Sequence, residues 1–355
     1  MNYIGSKKSL LRFLEDSIYQ VVGKHDFTFL DLFAGTGIVG QHFKSRGHKV
    51  IANDLQYYSF VLNKNYIENQ GVLCFMGLAE ELKHLTFMDY EKRAYFVCDF
   101  LDKLDLTEGF IYKNYCLGGT KNNEFQRQYF SDENGKKVDA IRGKIEEWKT
   151  VKKINDNEYY FLLATLIENI DKVANTASVY GAFLKQLKKS AQKEFFMKPA
   201  LFVLNANEHN VYNEDIEILV NTVRGDVLYL DPPYNHRQYA PNYHLLETIA
   251  KYDNPKIKGK TGLRDYSNQK SKFSQKKDVL RSFENIIQKA NVKYIFLSYN
   301  NEGLMTEEEV KTIMSKRGKY GIFKKECNRF KADKTENRNH KASSVMEYLH
   351  YVECQ

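Results

Sequence analysis

Apolar positions recur at helical spacing from Lys8 to Val22, which predicts an opening amphipathic helix. The apolar run FTFLDLF (Phe27 to Phe33) ends in a glycine turn, and a second helical pattern starts at Ile38. HKVIAND (His48 to Asp54) is the next apolar run, followed by another helical stretch through Asn69. Strand, turn, helix, strand and helix in that order predict a parallel α/β sheet. The rhythm returns in GDVLYLD (Gly225 to Asp231), a helix near Tyr243 to Tyr252, VKYIFLSY (Val292 to Tyr299) and a helix from Thr306. Two strand-like runs, YGIF (Tyr320 to Phe323) and SSVMEYLHYV (Ser343 to Val352), predict a closing antiparallel hairpin.

The middle of the chain behaves differently. Asn114 to Asn157 is polar and turn-rich, with GG, NN and ENG, and a long helical pattern from Tyr159 to Thr176 follows. We therefore expect one α/β domain built from 1–70 plus 201–355, interrupted by a mostly helical insert over 71–200.

Composition narrows the class. At 43% hydrophobic and 28% charged, the 355-residue chain can bury a core. It contains no run of about 18 apolar residues, so no membrane-spanning helix is expected. Its first residues, MNYIGSKKSLLRFLED, lack the apolar stretch and cleavage site of a secretory signal. The five cysteines are scattered without a CxxC pair, which argues against a disulfide framework or a cysteine-built zinc site. His236 and His244 have no suitably spaced partner, so no metal is expected. A soluble cytoplasmic protein is the starting expectation.

The formal charge of +8 is modest, but its distribution adds something. Lysine-rich polar stretches run from Pro255 to Lys277, including Arg264, and from Phe323 to Lys341. Both read as basic loops, either plain solvated surface or arms that grip phosphates.

Chemistry begins at Asp31-Leu32-Phe33-Ala34-Gly35-Thr36-Gly37-Ile38-Val39-Gly40, where glycines fall as G-x-G-x-x-G between a strand and a helix. Glycines there allow close approach of a ligand to backbone, and an acid after the second strand, here Asp54, can bind ribose hydroxyls. Alone, the motif also fits an NAD-dependent dehydrogenase. The form D-x-F-x-G-x-G, with Asp31 inside the strand and Phe33 in the turn, is closer to the S-adenosylmethionine loop of methyltransferases.

The second motif, Asp231-Pro232-Pro233-Tyr234, ends the strand GDVLYL, where open α/β sheets place their ligands. The prolines fix the backbone and remove two N–H donors, leaving neighbouring carbonyls and the Asp231 carboxylate as acceptors. Two acceptors suit an aromatic amino group, whose lone pair is delocalised until both hydrogens are held. Tyr234 offers a ring on which a flipped base can stack.

With both motifs in place, the chain resembles the adenine-specific DNA methyltransferases of the Dam and FokI modification-enzyme group. The likeness runs through Asn2-Tyr3-Ile4-Gly5-Ser6-Lys7, DLFAGTG, ENGKKVDAIRGKIEEW (Glu133 to Trp148), DPPY and the segments NHRQYAPNYHLLETIAKYD and YIFLSYNNEGLM. It implies a Rossmann-like fold, S-adenosylmethionine as cofactor and a target-recognition insert. Tyr3 and Lys7 match positions lining the cofactor pocket, Asp54 the ribose-binding acid, and Asp215 the acid that contacts the cofactor's adenine. For Asp215 a helix-cap role competes. Asp231 matches the residue touching both the methionine end and the target amine, and Tyr234 the stacking residue.

Around that site, Tyr239, Asn242 and Tyr243 are candidates to contact DNA, although helix packing also explains Tyr243. Arg127, Arg142 and Arg264 are candidates to contact bases or phosphates, although a solvated basic face is the competing reading for Arg127 and Arg142. Trp148 reads as core. The expected function is site-specific methylation of adenine N6 in double-stranded DNA within a restriction-modification system. A cognate endonuclease would act separately, and the enzyme would work as a monomer. An RNA adenine methyltransferase and a non-catalytic DNA-binding module with a relic cofactor pocket are the alternatives. Cytosine amino methylation would favour Ser before PPY, protein glutamine methylation Asn, and a dehydrogenase would need a His–Arg set that is missing.

Overall fold

The computed structural model describes residues 3–328 and 344–355, with backbone alone for Asn328 and Ser344. The predicted Phe323–Lys341 basic arm therefore lies largely outside the described residues, as does Asn2. In chain order the first elements are α1 (Leu11–Val22), β1 (Thr28–Asp31), α2 (Ile38–Ser45), β2 (Lys49–Asn53) and α3 (Tyr57–Asn63). Then come α4 (Tyr90–Asp102), α5 (Phe110–Tyr115), α6 (Leu117–Thr120), α7 (Asp132–Thr150) and α8 (Asp156–Lys172). β3 (Asn210–Tyr212), α9 (Ile216–Leu219), β4 (Val227–Leu230) and α10 (Tyr239–Lys251) lead to the short β5 (Ile257–Lys258) and β6 (Leu263–Arg264). α11 (Val279–Lys289), β7 (Tyr294–Asn300), α12 (Glu307–Met314), β8 (Gly318–Asn328) and β9 (Ser344–Cys354) complete the chain.

The chain divides into two compact units. One comprises 5–63, 205–239 and 268–355 and carries a seven-stranded sheet in the order β3-β2-β1-β4-β7-β9-β8. Its first five strands are parallel, and β9 and β8 close it antiparallel, which is the predicted hairpin extended to eleven residues per strand. The α/β class expected from the strand–helix alternation is therefore the observed one. One face of the sheet buries Leu30, Leu228, Leu230, Ile295, Leu297 and Val352 against α11 and α12 residues such as Phe283, Ile286 and Val310. Burial of this kind contributes about 25 cal/mol per Å² of apolar surface and fixes which side chains face the other way. The chain runs outward from β1 through β2 to β3 on one side and from β4 to β7 on the other. That makes the β1/β4 boundary a topological switch point, with a crevice expected outside the carboxyl ends of both strands.

The other unit comprises 1–4, 64–204 and 240–267 and is mostly helical. Its bounds differ from the sequence division at 1–4, 64–70 and 201–204, and most at Ala240–Ser267, all of which group with the helices. The Arg142 guanidinium on α7 explains much of this by donating to the Ile249 and Ala250 carbonyls at the end of α10 (3.1 Å each). α7 itself lies where the sequence read as turn-rich. Ser131 caps it by accepting the Asn134 N–H (3.2 Å), and the ENG glycine, Gly135, packs its Cα face against Cys116 rather than making a turn. Asp139 on α7 accepts the Ile111 and Tyr112 N–H groups at the start of α5 (2.9 and 2.8 Å), so the helices are locked end to side. Trp148 is fully buried, as read from the sequence, and donates to Glu81 (3.1 Å).

Candidate active site

β1 ends in Asp31, and the chain turns through Leu32–Gly37 into α2. Gly35 and Gly37 take positive φ (52° and 76°), a left-handed backbone that a Cβ would strain. At Gly37 a Cβ would also come within 2.5 Å of Asn63 Oδ1. Asn63, buried on α3, donates to the Gly35 carbonyl (3.0 Å) and props the loop from behind. Asp54 holds it from the side: Oδ2 accepts the Gly35 N–H and Oδ1 the Gln56 N–H, both at 2.8 Å. The expected ribose-binding acid is thus also the loop's anchor. Phe33 packs its ring edge-on against Phe273 at 5.1 Å. Asn63 was not singled out from the sequence, since an asparagine 28 residues downstream on a helix carries no local signal.

Asp31 is 1% exposed, and neither of its oxygens has a hydrogen-bond partner among the described residues. Burial, with the Asp231 and Asp54 charges adding to it, pushes its pKa up to about 8. A buried carboxyl without a partner is costly to keep, and it suits a cationic or amino-bearing ligand.

β4 lies beside β1 in register Asp31↔Tyr229, so Asp231 emerges just past the same sheet edge. Lys7, 3% exposed, sets its ammonium 3.0 Å from Asp231 Oδ1, whose side chain is 17% exposed. The same ammonium lies 5.4 Å from the centre of the Tyr234 ring. Tyr234 is fixed by its carbonyl, which accepts the Leu304 N–H (2.9 Å), and by the edge of Tyr299 at 5.7 Å. Burial works against the Lys7 charge, but Asp231, Tyr234 and Glu347 outweigh it and raise its pKa. Asp231 is itself raised by burial, which the Lys7 ammonium opposes. Glu347, on β9 and 8% exposed, is a buried acid of this neighbourhood that the sequence reading missed.

The sheet-bearing unit therefore contains Lys7, Asp31, Phe33, Gly35, Gly37, Asp54, Asp215, Asp231 to Tyr234 and Tyr239. Asp215 caps α9 by accepting the Glu217 N–H (2.8 Å), the competing role noted for it. The helical unit contains Tyr3, Asn242, Tyr243 and the three arginines. There Tyr3 stacks on Tyr243 (5.0 Å, 25°), and the Tyr243 hydroxyl accepts the Ile4 N–H (2.8 Å).

Four of the proposed DNA contacts need correction. Arg127 is buried and donates to the carbonyls of Asn114, Gly259 and Lys260 (2.9–3.2 Å). Arg142 is spent on the α10 carbonyls and on Glu146 (2.7 Å). Arg264 forks onto Asp253 through two bonds of 3.0 and 2.7 Å. Five fixed donors suit a guanidinium to carbonyl clusters at helix and hairpin ends, and none of the three presents a free fork to a base. Tyr243 is 1% exposed and serves helix packing, the alternative already open for it. In contrast, Lys256, Lys258 and Lys260 of the predicted basic stretch are exposed. Among the described residues no cluster of His, Cys, Asp and Glu could hold a metal ion.

Comparison with known proteins agrees with this geometry. The family model for D12 class N6 adenine-specific DNA methyltransferases matches residues 3–313. The chain is 54% identical to the type II methyltransferase M.NlaIII of Neisseria lactamica, over 99% of both chains. It is 38% identical to the type II methyltransferase M.FokI of Planomicrobium okeanokoites, aligning over 99% of its own length but spanning only 52% of that relative. M.CviAII, a type II methyltransferase of Paramecium bursaria Chlorella virus 1, is 32% identical over 99% of this chain and 98% of its own. A glycine loop and a DPPY tip meeting at one switch point are what such a family requires, and the chain belongs to the D12 class of N6 adenine-specific DNA methyltransferases.

Proposed function

We propose that the chain uses S-adenosylmethionine to methylate the N6 amino group of one adenine, flipped out of duplex DNA at a specific short sequence. The observation that carries this reading is Asp231, ion-paired to Lys7 at the carboxyl end of β4 and one strand away from the Gly35–Gly37 loop. S-Adenosylmethionine supplies an electrophilic methyl group on a sulfonium centre. The residues fit it: Asp31 is a buried acceptor with no hydrogen-bond partner among the described residues, Asp54 is a carboxylate at the side of the loop, and Gly35 and Gly37 present bare backbone. Lys7, Phe33 and Asp215 are the further residues of the sheet-bearing unit that we assign to that pocket, and Tyr3 is a separate cofactor-contact assignment.

On the substrate side, the Asp231 carboxylate and the Pro232 carbonyl accept the two amino hydrogens. Holding both favours a tetrahedral nitrogen and localises its lone pair, so positioning supplies much of the rate. The surplus amino proton passes to Asp231 Oδ, which the Lys7 ammonium helps keep ionised. Flipping the base costs a few kcal/mol, of which stacking on Tyr234 offsets about 1–3 kcal/mol. Tyr239 flanks the flipped nucleotide, and in the helical unit Asn242, Lys256, Lys258 and Lys260 are assigned to DNA contact. The helical unit serves target recognition.

We further assign the protein to a restriction-modification system in the cytoplasm, acting as a monomer beside a separate endonuclease. No helix of the described residues is long and apolar enough to cross a membrane. The test is to incubate purified protein with labelled S-adenosylmethionine and genomic DNA, then apply modified-base sequencing. Methyladenine at one short motif is the expected result. Label appearing in RNA or protein instead, with DNA unlabelled, overturns the substrate.

A further inference from the structure

Register in the sheet brings a third carboxylate to the catalytic edge. Asp31 pairs with Tyr229, Tyr229 with Phe296, Phe296 with Tyr351 and Asn300 with Glu347 across the adjacent strands β1, β4, β7 and β9. Side chains alternate along a strand, so Asp31, Asp231, Ser298, Asn300 and Glu347 all lie on the face opposite the Leu230–Leu297 core. Glu347 is 8% exposed, and its Oε2 accepts no hydrogen bond among the described residues. The obvious neighbouring cation does not serve it. Lys325, opposite Glu347 on β8, sends its ammonium over the Phe13 ring at 5.4 Å. Burial and the Asp231 charge raise the Glu347 pKa, while the Lys7 ammonium and the Asn300 side chain oppose them, and Lys7 in turn is held charged by both Asp231 and Glu347. Cys327, paired with Val345 on β9, has its thiol pKa raised by burial and by Glu347, against Lys325 and Lys7.

This arrangement solves a problem that the mechanism creates. In the structure Lys7 is paired with Asp231 Oδ1, and that carboxylate loses its charge when it takes the surplus proton of the substrate amino group, which leaves the ammonium without its counter-ion. A buried ammonium released from its carboxylate needs another acceptor or its burial becomes strongly unfavourable. Lys7 carries three donor hydrogens, and Glu347 Oε2 has open lone pairs. We propose that Glu347 is a positioning residue for methyl transfer, taking up the Lys7 ammonium as the adenine amino group takes over Asp231. The proposal rests on the adenine methyltransferase reading above. No bond is made or broken at Glu347; it holds a charge in place while the nitrogen attacks.

Glu347→Gln keeps the shape and removes the charge. With wild-type protein methylating a site-containing duplex as the control, single-turnover transfer at saturating S-adenosylmethionine is expected to slow about 100-fold, the scale of lost positioning. Dissociation constants for S-adenosylmethionine and duplex should be unchanged, and the melting temperature unchanged or raised, because a buried unsatisfied carboxylate is gone. A double-mutant cycle on unfolding free energy, with Lys7→Gln, Glu347→Gln and both, should show non-additive effects without any need for activity. Should Glu347→Gln not fold, Glu347→Asp, with the charge drawn back by one methylene, carries the same rate and cycle measurements. A wild-type rate in the folded variant, or strictly additive stabilities, would overturn the proposal. An inactive wild-type control would instead count against the methyltransferase reading itself.

Discussion

Asp31 and Asp231 project from the ends of adjacent parallel strands at the same edge of the sheet, and the Asp231 charge makes ionisation of Asp31 harder. Asp231 has the Lys7 ammonium at 3.0 Å, whereas Asp31 has no hydrogen-bond partner among the described residues and titrates at about 8. Two carboxyl groups so placed are driven to different protonation states, one paired and one held neutral until a cation arrives.

The first consequence is a pH dependence of stability. The folded pKa of Asp31 lies above its unfolded value, so the native state binds the proton more tightly. Stability should be greatest below the ordinary carboxylate range, fall as pH rises towards about 8, and level off above it. The slope for one such group is at most about 1.4 kcal/mol per pH unit. Asp31→Asn should remove this slope from denaturant titrations and raise stability at pH 8.

Cofactor binding should show the opposite dependence. A ligand with a positive end prefers the ionised Asp31, so binding releases a proton and strengthens as pH rises from 6 to 8. Calorimetry of S-adenosylmethionine binding in buffers of different ionisation heat would report that proton. Asp31→Asn should bind weakly with no pH trend, and a wild-type affinity independent of pH would contradict the assignment.

Tyr234→Ala should lower the single-turnover rate more than it weakens binding of unmodified duplex, because stacking of about 1–3 kcal/mol applies only to the flipped base. A fluorescent base analogue at the target position should lose its flipping signal in the same variant. Loss of cofactor affinity alone would mean that Tyr234 serves the cofactor instead.

Arg127→Ala tests the corrected role of the buried arginines. Three carbonyls lose their donor, so the melting temperature should fall, by an amount corresponding to about 2–4 kcal/mol. The dependence of duplex affinity on salt should keep its wild-type slope, since no phosphate contact is lost. Lys258→Ala, by contrast, should flatten that slope by about one unit at unchanged melting temperature.

These contrasts follow the line between what was legible in the sequence and what was not. β1, β4 and the glycine loop could be read because short apolar runs, glycines and prolines act on the backbone within a few residues. Asp31, Asp54 and Asp231 could be placed at strand ends because each closes such a run. Asn63 and Glu347 could not, because what they do depends on a neighbour brought close by helix packing or strand register. The arginines misled for a related reason: charge suggests surface, yet a guanidinium can be buried wherever helix ends and a hairpin offer unpaired carbonyls. Gly135 in ENG misled because a glycine required for close helix packing looks the same in sequence as one required for a turn.

The central claim is that Asp231 holds the adenine amino group while methyl transfer occurs, and Asp231→Asn tests it most directly. On a duplex carrying the recognised site, single-turnover formation of N6-methyladenine should fall by at least about 1,000-fold, in the range for losing a preorganised polar contact at the reacting atom. Duplex binding and the circular dichroism spectrum should be retained. Methyladenine formed at near the wild-type rate by a folded Asp231→Asn protein would contradict the account.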